Sequence, residues 1–133
     1  MSLVETEFAQ MSFQEEDSLY ILRWKSDHQN LNDDLFKEQV NIWLENIKKC
    51  RPQRLLVDTS LFNYVVVPEI QDWFDEKVFA LYPQIGVQKQ AMLLPEDLFT
   101  QVSIQQTNES PKNQTFEVNY FDNEQKALEW LSA

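Results

Sequence analysis

The chain has a single glycine, Gly86, and that scarcity excludes several function classes at once. Loops that cradle phosphates, and the tight turns of dinucleotide sites, use several glycines because the backbone itself must approach the ligand. One cysteine, Cys50, rules out an intrachain disulfide, and with one histidine, His28, there is no Cys/His set for zinc. No apolar run approaches the ~20 residues needed to cross a bilayer. The first residues, Met1-Ser-Leu-Val-Glu-Thr-Glu7, carry neither a basic segment nor an apolar signal core. A cytoplasmic protein is the expectation. Basic residues are also few: 11 Lys and Arg stand against 22 Asp and Glu, a net charge of −11. Phosphate backbones and anionic membranes are repelled by such a chain, so neither nucleic acid nor membrane insertion is expected.

What is present is a regular alternation of strand-like and helix-like segments over 133 residues, the length of one domain. Phe8–Phe13 and Leu19–Trp24 read as strands joined by the acidic turn Gln14–Ser18, an N-terminal hairpin. Asn32, Asp33 and Asp34 supply a cap and first-turn acids for a helix reaching about Cys50, with Phe36, Val40, Trp43, Ile47 and Cys50 on one stripe. Arg54–Asp58 is a short continuous apolar run, the pattern of a central strand covered on both faces. Pro68 opens a second helix whose inward face is Ile70, Trp73, Phe74, Val78 and Leu81, and Pro83 ends it. Gln90–Leu94 is a further buried strand, and Pro95-Glu-Asp97 opens a third helix to about Gln105. Phe116, Val118 and Tyr120 alternate with polar residues in a last strand. Asp122, with Gln125 three residues on, marks the cap of a terminal helix bearing Ala127, Leu128 and Leu131.

The order β-β-α-β-α-β-α-β-α predicts an α/β fold: a mixed, mostly parallel five-stranded sheet with an N-terminal antiparallel hairpin and about four helices, one domain over residues 1–133. This order, and the ending Tyr120-Phe-Asp-Asn-Glu-Gln-Lys-Ala-Leu-Glu-Trp-Leu131, resemble the SpoIIAA-like branch of the STAS superfamily. The resemblance implies a non-enzymatic regulatory or protein-interaction module. Related domains also suggest an alternative, a carrier of a small apolar, lipid-like ligand. In STAS proteins an acid at the end of the central strand precedes a loop carrying a regulatory phosphoserine. Here the acid is Asp58, but the phosphoserine position reads Val65-Val66-Val67-Pro68, and no Ser or Thr occurs from Leu61 to Phe99.

Several residues invite a functional reading beside a plainer one. Asp58 lies where open α/β sheets place ligand crevices, yet Asp-Thr-Ser sequences also cap loops through backbone N–H groups. His28 sits beside Asp27 in a polar loop, and a base at His28 acting with Cys50 would need groups ~25 Å apart at about 1.5 Å per residue to converge. Asp72, Asp75 and Glu76 form either a carboxylate metal site or a solvated helix face. Lys48, Lys49, Arg51 and Arg54 either hold an anion or complement a helix C-terminus. Asn108 and Asn113 head glycosylation-type triplets, which without a secretory signal are chance.

At 100° per residue Phe79 points away from the second helix's stripe, and with Tyr82 it forms an exposed patch unless a loop covers it. No catalytic constellation, cofactor site or metal site is expected. The candidate interaction or ligand surface is Asp58, Phe62, Tyr64, Pro68, Trp73, Phe79 and Tyr82. The expected partner is another protein or a second copy, with a small apolar ligand as the alternative.

Overall fold

In a computed structural model that describes residues 2–25, 31–62, 64, 66–108 and 116–133, the chain forms one mixed sheet with helices on both faces. The strands are β1 (Ser2–Glu5), β2 (Ala9–Gln14), β3 (Leu19–Trp24), β4 (Arg54–Asp58), β5 (Lys89–Leu93) and β6 (Glu117–Phe121), hydrogen-bonded in sequence order. The first three run antiparallel and β3 to β6 run parallel. The α/β class and the antiparallel-then-parallel sheet agree with expectation; the strand number does not. The sheet has six strands because Ser2–Glu5 adds an edge strand to β2, with Val4 opposite Met11.

Helix α1 (Asp33–Cys50) connects β3 to β4 and starts at Asn32, whose side chain accepts the Leu35 N–H at 2.9 Å. Its stripe of Phe36, Val40, Trp43 and Ile47 is buried against the sheet. The β4–β5 crossover carries α2 (Pro68–Phe74), a π-helical turn (Asp75–Phe79) and α3 (Tyr82–Ile85); α4 (Leu98–Asn108) connects β5 to β6, and α5 (Glu124–Ser132) closes the chain. Strands laid down in one direction, each with the favoured crossover hand, put their connecting helices on the same face. Accordingly Tyr20, Leu22, Leu55, Val57 and Met92 share one core with α1, α2, α3 and α4. Among the described residues α5 alone supplies helical cover to the other face, where Ala127 and Leu131 pack on Leu19, Ile21, Leu56, Ala91 and Leu93.

Two helix ends differ from expectation. The α5 cap is Asn123, which accepts the Lys126 N–H at 3.1 Å, while Asp122 stays in the bend after β6 and pairs with Lys126 at 3.9 Å. Pro83 does not end a helix; it occupies the first turn of α3, and Gly86, at φ 90°, ends that helix in the left-handed region open to glycine.

The π turn has the larger consequence. It widens the helix by one residue per turn, so the 100° phase no longer holds beyond Phe74. Phe79 and Tyr82, read as an exposed patch unless a loop covers them, are 1% and 0% exposed. Their rings meet at 5.6 Å and both touch Phe116.

The Tyr82 hydroxyl donates to Gln90 Oε1 at 2.5 Å, and burial raises its pKa well above the usual tyrosine range; burial raises Tyr20 likewise. Above pH ~10 the unfolded chain releases these protons while the folded chain keeps them, so folding stability is full below that pH and falls as pH rises through the folded values. Each such tyrosine adds about 1.4 kcal/mol per pH unit to the decline. Urea unfolding between pH 9 and 11.5 should show this fall, shallower by about that amount in Tyr82→Phe; equal slopes would contradict the burial of Tyr82.

Candidate functional site

The carboxyl ends of the parallel strands gather most of the expected surface. Asp58 ends β4 directly opposite Arg23 of β3. Asp58 Oδ2 accepts from Arg23 Nη1 at 3.0 Å, and the same nitrogen donates to Glu124 Oε1 of α5 at 2.5 Å. Asp58 Oδ1 accepts the Ser60 N–H at 3.0 Å and the Ser60 hydroxyl at 2.6 Å. Both carboxylate oxygens are therefore engaged: one shapes the loop, the other ties β4 through Arg23 to the start of α5. Glu124 and, to a lesser degree, Asp58 raise the Arg23 pKa further above an already high value.

The loop after β4 bends back over the first face of the sheet. Thr59 is buried, and its hydroxyl donates to the Leu93 carbonyl, while its N–H reaches the same oxygen at 2.9 Å. Phe62 is buried against Trp24, ring centroids 4.9 Å apart. Tyr64 is half-buried, stacks on Phe36 and donates its hydroxyl to Asp33 Oδ1 at the start of α1. Burial, then this bond, raises the Tyr64 pKa. Val66 N–H donates to Ser103 Oγ of α4 at 2.7 Å, and Ser103 Oγ donates back to the Val66 carbonyl at 3.2 Å. Pro68 is exposed at the start of α2, and Trp73 is half-buried beneath Lys37, whose Nζ lies 5.4 Å from the ring centre.

Of the expected surface residues, the structure thus brings Asp58, Phe62, Tyr64 and Pro68 to one loop, leaves Trp73 on the flank of α2, and sends Phe79 and Tyr82 into the core. What the loop presents is apolar. Among the described residues, the large apolar side chains that stand exposed are Leu61 (57%) and Val67 (41%) on the loop, and Leu98 (72%) and Val102 (50%) on α4. Leu98 and Val102 are one turn apart on one helix face. Val67 and Val102 each neighbour a member of the Val66–Ser103 pair that joins loop to helix. The i, i+4 spacing of Leu98 and Val102 is a sequence signal; their exposure is not.

Beneath the loop lies an almost wholly apolar cavity of ≈ 50 Å³, lined among others by Trp43 of α1, Thr59, Phe62 and Val66 of the loop, Gln90 of β5 and Ile104 of α4. Trp43 Nε1 is buried without a hydrogen-bond partner.

Three of the four clustered bases have structural partners. Lys48 pairs with Glu45 at 3.3 Å, Arg51 Nη2 donates to the Gln84 carbonyl at 2.9 Å, and Arg54 Nε donates to the Leu131 carbonyl at 2.7 Å. Lys89 Nζ reaches the Trp130 and Ala133 carbonyls at 3.0 and 2.9 Å, so two sheet cations serve the C-terminus of α5. Asp72 and Glu76 are exposed and Asp75 half-buried; no group of three potential metal-ligating side chains occurs among the described residues. Cys50 is half-buried. His28 and Asn113 lie outside the described residues. No described helix is long and apolar enough to cross a membrane.

Compared with known proteins, the chain matches no family model, and no curated protein or solved structure is significantly similar to it.

The Arg23–Asp58 pair is partly exposed on the Arg23 side, and screening limits its worth. A double-mutant cycle of Arg23→Ala and Asp58→Ala should give a coupling of about 0.5–1 kcal/mol by urea denaturation. Each single variant should cost more than the coupling, because Asp58→Ala also removes the Ser60 bonds and Arg23→Ala the Glu124 pair. Zero coupling would contradict the tie between β3 and β4.

Proposed function

We propose that the chain is a non-enzymatic interaction module of the SpoIIAA-like kind that binds another protein through the loop after β4 and the outer face of α4. The observation that carries this reading is the exposure of Leu61 and Val67 on that loop and of Leu98 and Val102 on α4, two elements joined by the Val66–Ser103 hydrogen bonds. Exposed apolar side chains joined across two elements mark partner surfaces more often than scattered single ones do.

The charges around them specify the partner further. Thr59–Glu76 and Gln90–Pro111 contain no Lys or Arg, and Glu69, Asp72, Glu96 and Asp97 are exposed within them. A second copy of the chain, with its own net charge of −11, is repelled from such a rim. The fitting partner presents apolar residues flanked by Lys or Arg.

A phosphoserine switch has no place in this reading. The position that resembles the family's serine is occupied by Val66 and Val67 before Pro68. Of the two hydroxyls nearby, Thr59 is buried, and Ser60 bonds to Asp58, where added negative charge is unfavourable. Regulation here works by occupancy of the apolar surface. Asp58 supports the reading as well, because one of its oxygens is committed to the loop and the other to Arg23. A second reading, a carrier for a small apolar ligand, is favoured by the cavity under the same loop.

Selection of a random peptide display library on the protein should enrich sequences with apolar residues beside Lys or Arg. Their binding should weaken with rising salt. Leu98→Glu with Val102→Glu should abolish it while shifting folding stability by no more than about 1 kcal/mol, since both side chains are exposed. Enriched peptides that bind the double variant equally well, or no enrichment at all, would refute the assignment of this surface.

A further inference from the structure

We propose that what the partner lays on this surface is an amphipathic helix, seated on the outer ridge of α4 by apolar residues one turn apart and flanked by Lys or Arg. This rests on the interaction reading and names the partner's form.

Helix α4 contains no charged residue. Its inner side is buried through Thr100, Ser103 and Ile104, while Leu98, Val102 and Gln106, each four positions from the next, are exposed. Residues four apart form one ridge along a helix, and such ridges pack into the grooves of a second helix. The outer face of a surface helix ordinarily carries polar and charged residues. Apolar residues on both sides belong to a helix that is covered on both sides.

Other recurring ways of holding a peptide lack their requirements here. An added strand needs an open sheet edge, and β4 and β5, which lead into the loop and α4, are paired on both edges. Proline-rich segments need an aromatic groove, but the exposed large apolar side chains among the described residues are leucine and valine. Tyr64 and Trp73 are only half-buried, yet one is bonded to Asp33 and the other lies beneath Lys37. Phosphorylated or acidic segments need Arg or Lys, which residues 59–76 and 90–111 do not contain. A helix needs apolar anchors at its own spacing, and Leu98 and Val102 supply them.

The charges agree. Helix α2 packs beside α4, with Gln71 Nε2 donating to Gln106 Oε1 at 3.5 Å, and it exposes Glu69 and Asp72. Glu96 and Asp97 are exposed directly before Leu98. Basic residues on a helix crossing α4 complement acids at the start of α4 and on its neighbour.

Random peptides of about 15 residues, room for four helical turns, are the probes. They are selected on the protein and counter-selected on Leu98→Ser with Val102→Ser, which alters exposed side chains without changing charge. Enriched peptides should repeat apolar residues at i, i+3 or i+4 and i+7, with Lys or Arg beside them. A 13C-labelled peptide should show helical Cα shifts when bound. Proline at its centre should weaken binding about a hundredfold, and proline at its first helical position less than about threefold. Strand-like shifts, or central prolines tolerated, in peptides that still discriminate the two proteins would overturn the helix and leave the interaction reading standing. Enrichment of no peptide that discriminates them would overturn both.

Discussion

The constraint on which the structure depends is two-sided burial of the parallel strands. Leu55, Leu56 and Val57 are consecutive and all buried, so β4 needs apolar cover on both faces. One face is covered by the crossover helices as a consequence of strand order. The other relies, among the described residues, on α5, and the sheet holds that helix at both ends. Arg23 takes Glu124 at its start; Arg54 and Lys89 take the Leu131, Trp130 and Ala133 carbonyls at its finish. Each contact places a charge where the helix dipole favours it. Three cations, one from each of three adjacent strands, are thereby drawn into holding the second layer, in a protein with few cations to spare.

That use of charge shapes the rest of the surface. With Arg23, Arg54 and Lys89 turned toward α5, the loop after β4 and the adjoining α4 carry no bases, and the acids Glu69, Asp72, Glu96 and Asp97 flank them in sequence. The same loop is fastened from three sides: to β5 through Thr59, to α1 through Tyr64, and to α4 through Val66 and Ser103. A run of aromatic rings continues beneath it, from Phe62 through Trp24 and Phe36 to Phe74, Phe79, Tyr82 and Phe116. The loop's apolar residues divide between those that face the cavity, Phe62 and Val66, and those that face outward, Leu61 and Val67.

Much of the fold was legible because local signals and tertiary structure agree. Asn32 reads as a cap and is one; the Phe36–Val40–Trp43–Ile47 stripe reads as buried and is; the Arg54–Asp58 run reads as a central strand and pairs on both sides. The failures have physical causes. Ser2–Glu5 is too short to show a period by itself and is a strand only because β2 offers an unpaired edge. The π turn changes the helical phase without a residue pattern that announces it, which is why Phe79 reads as pointing outward. Asp122 and Asn123 are both capping residues, and only the course of the chain after β6 selects the second. At the candidate site, Asp58 was legible from its place at a strand end. Its partners were not, because Arg23 lies 35 positions before it and Glu124 is 101 positions from Arg23, so only register and layer packing bring them together.

Methyl NMR of the Leu- and Val-labelled protein, titrated with a peptide selected for binding, tests most directly that the carboxyl end of the parallel strands is the working edge. The account predicts that the Leu61, Val67, Leu98 and Val102 methyls shift together and that those of Leu35 on α1 and Leu128 on α5 stay in place. Shifts centred on Leu35 or Leu128, with the four surface methyls unmoved, would contradict it.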